Sequence, residues 1–157
     1  KARKIKRKTG LDILVIDQLS FITGGDSDQE WQNIGKYTRG IIEIAKSLDV
    51  AVILLAQLNR KCEERTDKRP IMSDLAQSGS IEQDAANIIF LYRDVIYNSD
   101  TQDREIAEVI SAKQRQGMPG TIGMKYNGAL TLFEDLPYRW ERKIATEQAR
   151  SRKGGFS

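Results

Sequence analysis

Four polar side chains, each at the end of an apolar run or beside a turn, are the groups in this sequence best placed to do chemistry: Asp17, Gln57, Lys113 and Arg115. Asp17 closes the run Leu11-Asp12-Ile13-Leu14-Val15-Ile16, and Gln57 closes Val50-Ala51-Val52-Ile53-Leu54-Leu55-Ala56. Short, β-branched apolar runs of this kind read as strands buried on both faces of a parallel sheet. Open α/β sheets bind ligands beyond the carboxyl ends of such strands. A carboxylate there can hold a divalent cation on a phosphate group, or it can simply cap the turn that follows. Gln57, one strand away, sets an amide beside that carboxylate, as phosphate sensing and metal binding require. Asn59 then reads as a helix cap and Arg60 as a solvated charge. Lys113 and Arg115, one residue apart, point to the same side of an extended chain; they are either solvated cations at a hairpin or a pair able to reach one triphosphate.

Composition narrows the chemistry further. There is no His among the 157 residues, which removes His-based acid–base catalysis, Ser-His triads and most zinc sites. Cys62 is the single cysteine, so no internal disulfide forms. Its polar surroundings, Arg60-Lys61-Cys62-Glu63-Glu64-Arg65, read as those of an incidental thiol in a cytosolic protein. No run approaches the roughly 20 apolar residues of a membrane span, and nothing resembles a secretory leader. At 39% hydrophobic the chain is long enough for one domain with a real core.

The net charge of +3 is unevenly spread: residues 1–8 carry six basic groups and no acid, 139–157 carry a net +4, and 9–138 carry about −7. Basic ends suit phosphate backbones. For 142–157, with Gly154-Gly155 and few apolar residues, a solvated tail is the preferred reading.

The elements that must position these side chains follow in order. Residues 1–8 predict a basic helix ended by Gly10. Residues 23–30, with two glycines, predict a pliant loop. Trp31, Ile34, Thr38, Ile41, Ala45 and Leu48 recur at helical spacing and predict a helix over 29–48 with this face in the core. Only Asp49 separates it from the apolar run at 50–56. Strand, loop, helix and strand make a βαβ unit, hence a parallel sheet with a right-handed crossover. A polar connection spans 61–80, and Ser80-Ile81-Glu82-Gln83-Asp84 predicts a helix start with acids in its first turn. Residues 87–92 predict a third strand, ending in Arg93-Asp94, before a loop at 95–104. Runs at 105–112, 121–126 and 130–133 predict antiparallel strands, with Asn127-Gly128 as a two-residue hairpin turn.

No internal repeat or low-complexity segment interrupts this order, and one phosphate-binding signal is missing. The pattern Gly-x-x-x-x-Gly-Lys-Ser/Thr does not occur; the Gly35-Lys36 pair has Glu30 where the first Gly would stand.

Five segments in fixed order carry a resemblance: Ile13-Leu14-Val15-Ile16-Asp17, Ala56-Gln57-Leu58-Asn59-Arg60, Asp67-Lys68-Arg69-Pro70-Ile71-Met72-Ser73-Asp74-Leu75, Ser78-Gly79-Ser80-Ile81-Glu82-Gln83-Asp84-Ala85 and Lys113-Gln114-Arg115-Gln116-Gly117. Together they resemble, over residues 1–136, the DnaB-type replicative DNA helicases of bacteria and phages. The resemblance implies an α/β, RecA-like core: a mostly parallel sheet flanked by helices, with antiparallel C-terminal strands. This chain is similar to the C-terminal part of that domain, followed by a basic tail at 137–157. The P-loop, its Lys and the catalytic Glu would then lie before Lys1, and this chain alone would be inactive. ATP and Mg²⁺ are the implied cofactors. Single-stranded DNA, a homo-hexamer, primase and a helicase loader are the implied partners, in the cytoplasm and with no membrane.

The same resemblance assigns roles residue by residue. Asp17 matches the Walker B carboxylate that positions Mg²⁺ and water. Gln57 matches the residue that senses the γ-phosphate and couples it to the DNA loops. Lys113 and Arg115 match the basic pair that reaches the neighbouring subunit's nucleotide, with Arg115 as the arginine finger. Tyr126 resembles a position that packs on the nucleotide base, although packing within a strand is the plain alternative. Residues 74–84 resemble a channel loop that grips DNA through backbone N–H groups around Gln77, Ser78 and Gly79, and 23–30 resemble a second such loop.

The first of these loops departs from the family pattern. Relatives commonly carry Asp-Leu-Arg-Glu-Ser-Gly where this chain has Asp74-Leu75-Ala76-Gln77-Ser78-Gly79. The loss of one basic side chain lowers the expected salt dependence by roughly one counterion. Two other readings stand beside the helicase: a non-catalytic assembly or partner-binding fragment, and a RecA-family recombinase or clock-type ATPase. The segment from Ser78 to Asp84 speaks against the latter.

Overall fold

The structure, a computed structural model, describes residues 1–19, 30–75 and 78–141; for 30–33 and 78 it describes the backbone alone. The chain divides into two compact units, one of Lys1–Phe90 and Ser111–Pro119, the other of Leu91–Ile110 and the residues from 120 onward.

The first unit opens with helix α1, Ala2–Thr9, whose last turn carries Lys6, Arg7 and Lys8. Cations there face the negative end of the helix dipole. Gly10 ends the helix at φ +83°, in the left-handed region that only glycine enters without strain. Strand β1, Ile13–Ile16, helix α2, Glu30–Leu48, and strand β2, Ala51–Leu54, form the expected βαβ unit. The two strands pair in parallel, Ile13 opposite Ala51 through Ile16 opposite Leu54. The two-residue link, 49–50, works because Asp49 adopts φ +49°, a conformation that a short polar side chain tolerates. Val50 N–H then bonds back to Ala45 O at 3.1 Å. Lys6 Nζ donates to Leu11 O at 2.8 Å and to Asp49 O at 3.3 Å, tying α1 to the chain just before each strand.

The core face of α2 is as its periodicity requires: Ile34 and Thr38 are buried, and Ile41, Ala45 and Leu48 are half-buried. The side chain of Trp31, assigned to that face, lies outside the described residues, as does the loop at 23–29. The strands depart from expectation. Both read as buried on two faces, yet each alternates between exposed and half-buried positions. Ile13, Val15 and Ile53 are more than half exposed, and Leu55 is also exposed. One face of the pair is covered, and the other turns its apolar side chains outward.

Beyond β2 the polar connection is ordered. It contains two 3₁₀ segments, Arg60–Glu64 and Met72–Asp74. Asn59 caps the first, its side chain accepting from Lys61 N–H at 3.1 Å. Cys62 is buried rather than set among solvated groups. Helix α3, Ser78–Asp84, begins earlier than expected, so its first turn holds no acid. Asp84 instead accepts a 2.5 Å hydrogen bond from Thr38 Oγ1 on α2. Ile81 is buried on the same short helix.

Strands β3, Asn87–Tyr92, β4, Ile106–Gln114, β5, Gly120–Asn127, and β6, Leu132–Glu134, form a four-stranded sheet in chain order. In the first unit Arg115 N–H bonds to Ala86 O at 3.0 Å, so the end of β4 meets the start of β3. In the second unit Tyr126 N–H bonds to Glu105 O, and β5 pairs antiparallel with β6, Tyr126 opposite Phe133. The β5–β6 connection is longer than a two-residue hairpin, running over 128–131. Asn127 Oδ1 accepts from Ala129 N–H and Leu130 N–H, and Thr131 takes φ +52°. The side chain of Asn127 thus organises the turn in place of a type I′ geometry. The Trp140 ring lies where a Cβ on Gly123 would stand, within 2.7 Å, so only glycine admits that packing.

Among the described residues no helix is long and apolar enough to cross a membrane.

The Thr38–Asp84 bond joins the crossover helix to α3. Replacing Thr38 by Val keeps the shape but leaves the carboxylate without its donor. Hydrogen bonds to charged groups contribute about 1.5–3 kcal/mol; Thr38→Val should destabilise the protein by that amount in urea unfolding, and an unchanged midpoint would show the bond to be idle.

Candidate functional site

Parallel pairing forces the C-terminal ends of β1 and β2 to one edge. Asp17 directly follows Ile16, and Gln57 follows Leu54 after two further residues. The ladder continues past the strands: Leu55 N–H donates to Ile16 O, and Leu19 N–H donates to Leu55 O, both at 3.0 Å. The segments carrying Asp17 and Gln57 are therefore bonded side by side. Both residues are exposed, and the Asp17 carboxylate makes no ion pair among the described residues. A solvent-facing carboxylate with free lone pairs fits Mg²⁺, which takes one or two protein carboxylates and fills its shell with water and phosphate oxygens. No group of three or more Cys, Asp or Glu able to enclose a metal occurs among the described residues, so any metal here would rely on its other ligand.

The two cations lie elsewhere in the same unit. Lys113 falls on the last turn-proximal part of β4 and not in a turn, and Arg115 begins the turn after it. Lys113 Nζ donates to Glu82 O near the end of α3. Arg115 is held by its backbone to Ala86, leaving an exposed guanidinium. Among the described residues neither forms an ion pair with Asp17.

Ser78 and Gly79 open α3, while Gln77 lies outside the described residues. A Cβ on Gly79 would meet nothing within 4 Å, so the chain's own packing does not require glycine there. Tyr126 belongs to the second unit. The Arg93 guanidinium stands 4.0 Å over its ring, and Phe133 meets its edge at 4.9 Å between centroids. Arg93 Nε is buried without a hydrogen-bond partner among the described residues. The Tyr126 ring thus packs against its strand neighbour Phe133, with a cation–π contact to Arg93 added.

Sequence reasoning missed the strongest electrostatic element of the first unit. Arg65 Nη1 and Nη2 grip Asp74 Oδ1 and Oδ2 at 2.6 and 2.7 Å, a bidentate geometry. Arg65 Nε also donates to Asp67 O at 3.3 Å, and Nη2 to Arg69 O at 2.8 Å. Asp74 Oδ2 accepts from Ile71 N–H at 2.8 Å. The Asp74 side chain is only 4% exposed, against 33% for Arg65. Nothing in the local pattern distinguishes Arg65 from the other basic residues of that connection, because the pair closes across nine residues.

Comparison with known proteins follows from this geometry. Residues 1–135 match the model of the DnaB-like helicase C terminal domain. This chain belongs to that family. It is 43% identical over 143 residues to the replicative DNA helicase DnaB of Geobacillus stearothermophilus, covering 90% of this chain and 32% of the relative. It is also 43% identical over 138 residues to the Haemophilus influenzae DnaB, covering 87% and 30%. The chain therefore spans about a third of the length of these relatives.

Among solved structures it is similar to the ATPase domain of G40P, at a TM-score of 0.80 and 40% identity over 86% of this chain and 49% of that one. A second is a DnaB-like replicative helicase described with its interactions with primase, at a TM-score of 0.79 and 40% identity, covering 85% and 33%. The α/β, partial RecA-like class is thus established. The match favours neither a recombinase nor a clock-type ATPase.

Asp74 is held below the ordinary carboxylate value by the hydrogen bond from Arg65, opposed by burial and aided by Ile71 N–H and the Arg65 charge. A carboxylate with a lowered pKa in the folded state stabilises the fold at neutral pH. That contribution is lost as pH falls below about 4, where the unfolded chain takes up its proton first. Asp74→Asn should therefore flatten the acid limb of a melting-temperature profile while lowering the plateau at pH 7. Parallel acid limbs would count against the pair.

Proposed function

We propose that this chain is the C-terminal part of the ATPase domain of a hexameric replicative DNA helicase, one that translocates on single-stranded DNA and unwinds duplex using ATP and Mg²⁺. The observation that carries this is the placement of Asp17 and Gln57 on one edge of a parallel pair, in a chain of the DnaB-like family. The exposed apolar face of β1 and β2 supports the same reading: those side chains suit a sheet covered on both sides, as in a larger α/β domain. Primase and a helicase loader are the proposed partners, and the cytoplasm is the proposed setting.

Each residue then has a physical task. Asp17 would hold Mg²⁺, which would offset the negative charge of the phosphate groups. Gln57, exposed on the segment beside that of Asp17, would sense a γ-phosphate bound there. Lys113 and Arg115, at the end of β4, would be delivered to the nucleotide of an adjacent subunit. Charge supplied in trans stabilises the transition state as its oxygens gain negative charge, and makes turnover depend on assembly. Residues 77–79 would hold the DNA backbone through N–H groups. Tyr126, whose ring stacks under Arg93, would pack on a nucleotide base.

In the full-length protein, Arg115→Ala should lower DNA-stimulated ATP turnover by about 10³-fold or more while nucleotide binding stays within a few-fold, as read by steady-state kinetics and fluorescent-ADP titration. Unchanged turnover would remove Arg115 from the finger role.

A further inference from the structure

Gln57 begins a segment that is bonded to a second, distant one. Leu58 and Leu75 form an antiparallel bridge, and Asn59 N–H donates to Asp74 O at 2.7 Å. Residues 74–75 in turn lead directly into the segment proposed to hold DNA. The two polar ends of the molecule's proposed work are therefore joined by backbone contacts at residues 58–59 and 74–75. Two contacts at a chain crossing transmit displacement only if the crossing is stiff.

The side chains around it provide that stiffness. Arg65 donates to Asp67 O, Arg69 O and both oxygens of Asp74. It thereby closes the whole turn from 65 to 74 onto one guanidinium. Asp74 also ties down Ile71 N–H, and its own N–H bonds to Ile71 O at 2.9 Å. Leu75 beside it is buried. A planar, bidentate fork fixes orientation as well as distance, which an ammonium cannot do.

We propose that Arg65 and Asp74 are a positioning pair that makes residues 57–59 and 74–75 one stiff hydrogen-bonded unit, so that nucleotide-dependent displacement of Gln57 is passed to the DNA-holding segment. The proposal rests on the helicase reading above and names the residues that couple its two sites. Neither side chain touches nucleotide or DNA. Their contribution is to the coupling between sites, which is a free energy separate from the affinity of either.

The test uses the full-length protein with Arg65→Gln and Arg65→Lys, since Arg65 is partly exposed and its loss leaves Asp74 its backbone donor. ATP turnover is measured with and without oligo(dT), together with fluorescent-ADP and oligo(dT) affinities. Arg65→Gln should cut the stimulation ratio by about fivefold or more, with basal turnover and both affinities within about twofold. Arg65→Lys should recover only part of the ratio, lacking the fork. Hydrogen exchange should show the Asn59 amide opening faster in Arg65→Gln.

An unchanged ratio, a parallel loss of basal and stimulated turnover, or an unaltered Asn59 amide overturns the positioning role. If the unsubstituted protein shows no stimulation by oligo(dT), it is the helicase reading that fails, and the pair's role fails with it.

Discussion

The parallel ladder between β1 and β2 is the constraint on which the candidate site depends. Its register, Ile13 to Ala51 through Ile16 to Leu54, sends both chains out at the same edge, and a slip of one residue would turn every side chain to the opposite face. Maintaining it requires the crossover helix to end and reverse within two residues, 49 and 50, with Asp49 entering the left-handed region. Lys6 reinforces that corner from α1 by donating to carbonyls just before each strand. Asp17 and Gln57 have no direct contact that would bring them together; the backbone does it.

A second layer of order hangs from the far end of β2. The chain leaves the sheet at Gln57, passes through a capped 3₁₀ segment, and returns at Asp74–Leu75 to pair with the residues it has just left. Such a long polar connection, with Pro70 at its centre, would ordinarily be a mobile surface loop. Here its polar groups are satisfied internally, by the Arg65 guanidinium and the buried Asp74 carboxylate. The same ion pair lowers the Asp74 pKa. Thr38 ties the C-terminal end of α3 to the crossover helix through Asp84.

The division into two units separates the candidate groups by task. Asp17, Gln57, Lys113 and Arg115 belong to the first, and Tyr126 with Arg93 to the second. Within the first, the cations are tethered to α3 and the start of β3 and make no ion pair with the acid.

Much of this was legible in the residues. Helical spacing located α2 and its core face, the glycine at position 10 ended α1, and apolar runs located β1, β2 and β3, because hydrophobic periodicity and backbone preference are local properties. The order of five polar segments was enough to identify the family. Other features needed the tertiary structure. The one-sided exposure of β1 and β2 depends on what covers a sheet face, and an apolar run specifies only that it can be covered. The end of α3 is tied to α2 by a bond between the Thr38 and Asp84 side chains, and the β5–β6 turn was settled by the Asn127 side chain accepting from the backbone at 129 and 130. The Arg65–Asp74 clamp was invisible for the same reason: among many charged residues, which cation meets which acid is decided by the fold that brings them within hydrogen-bonding distance.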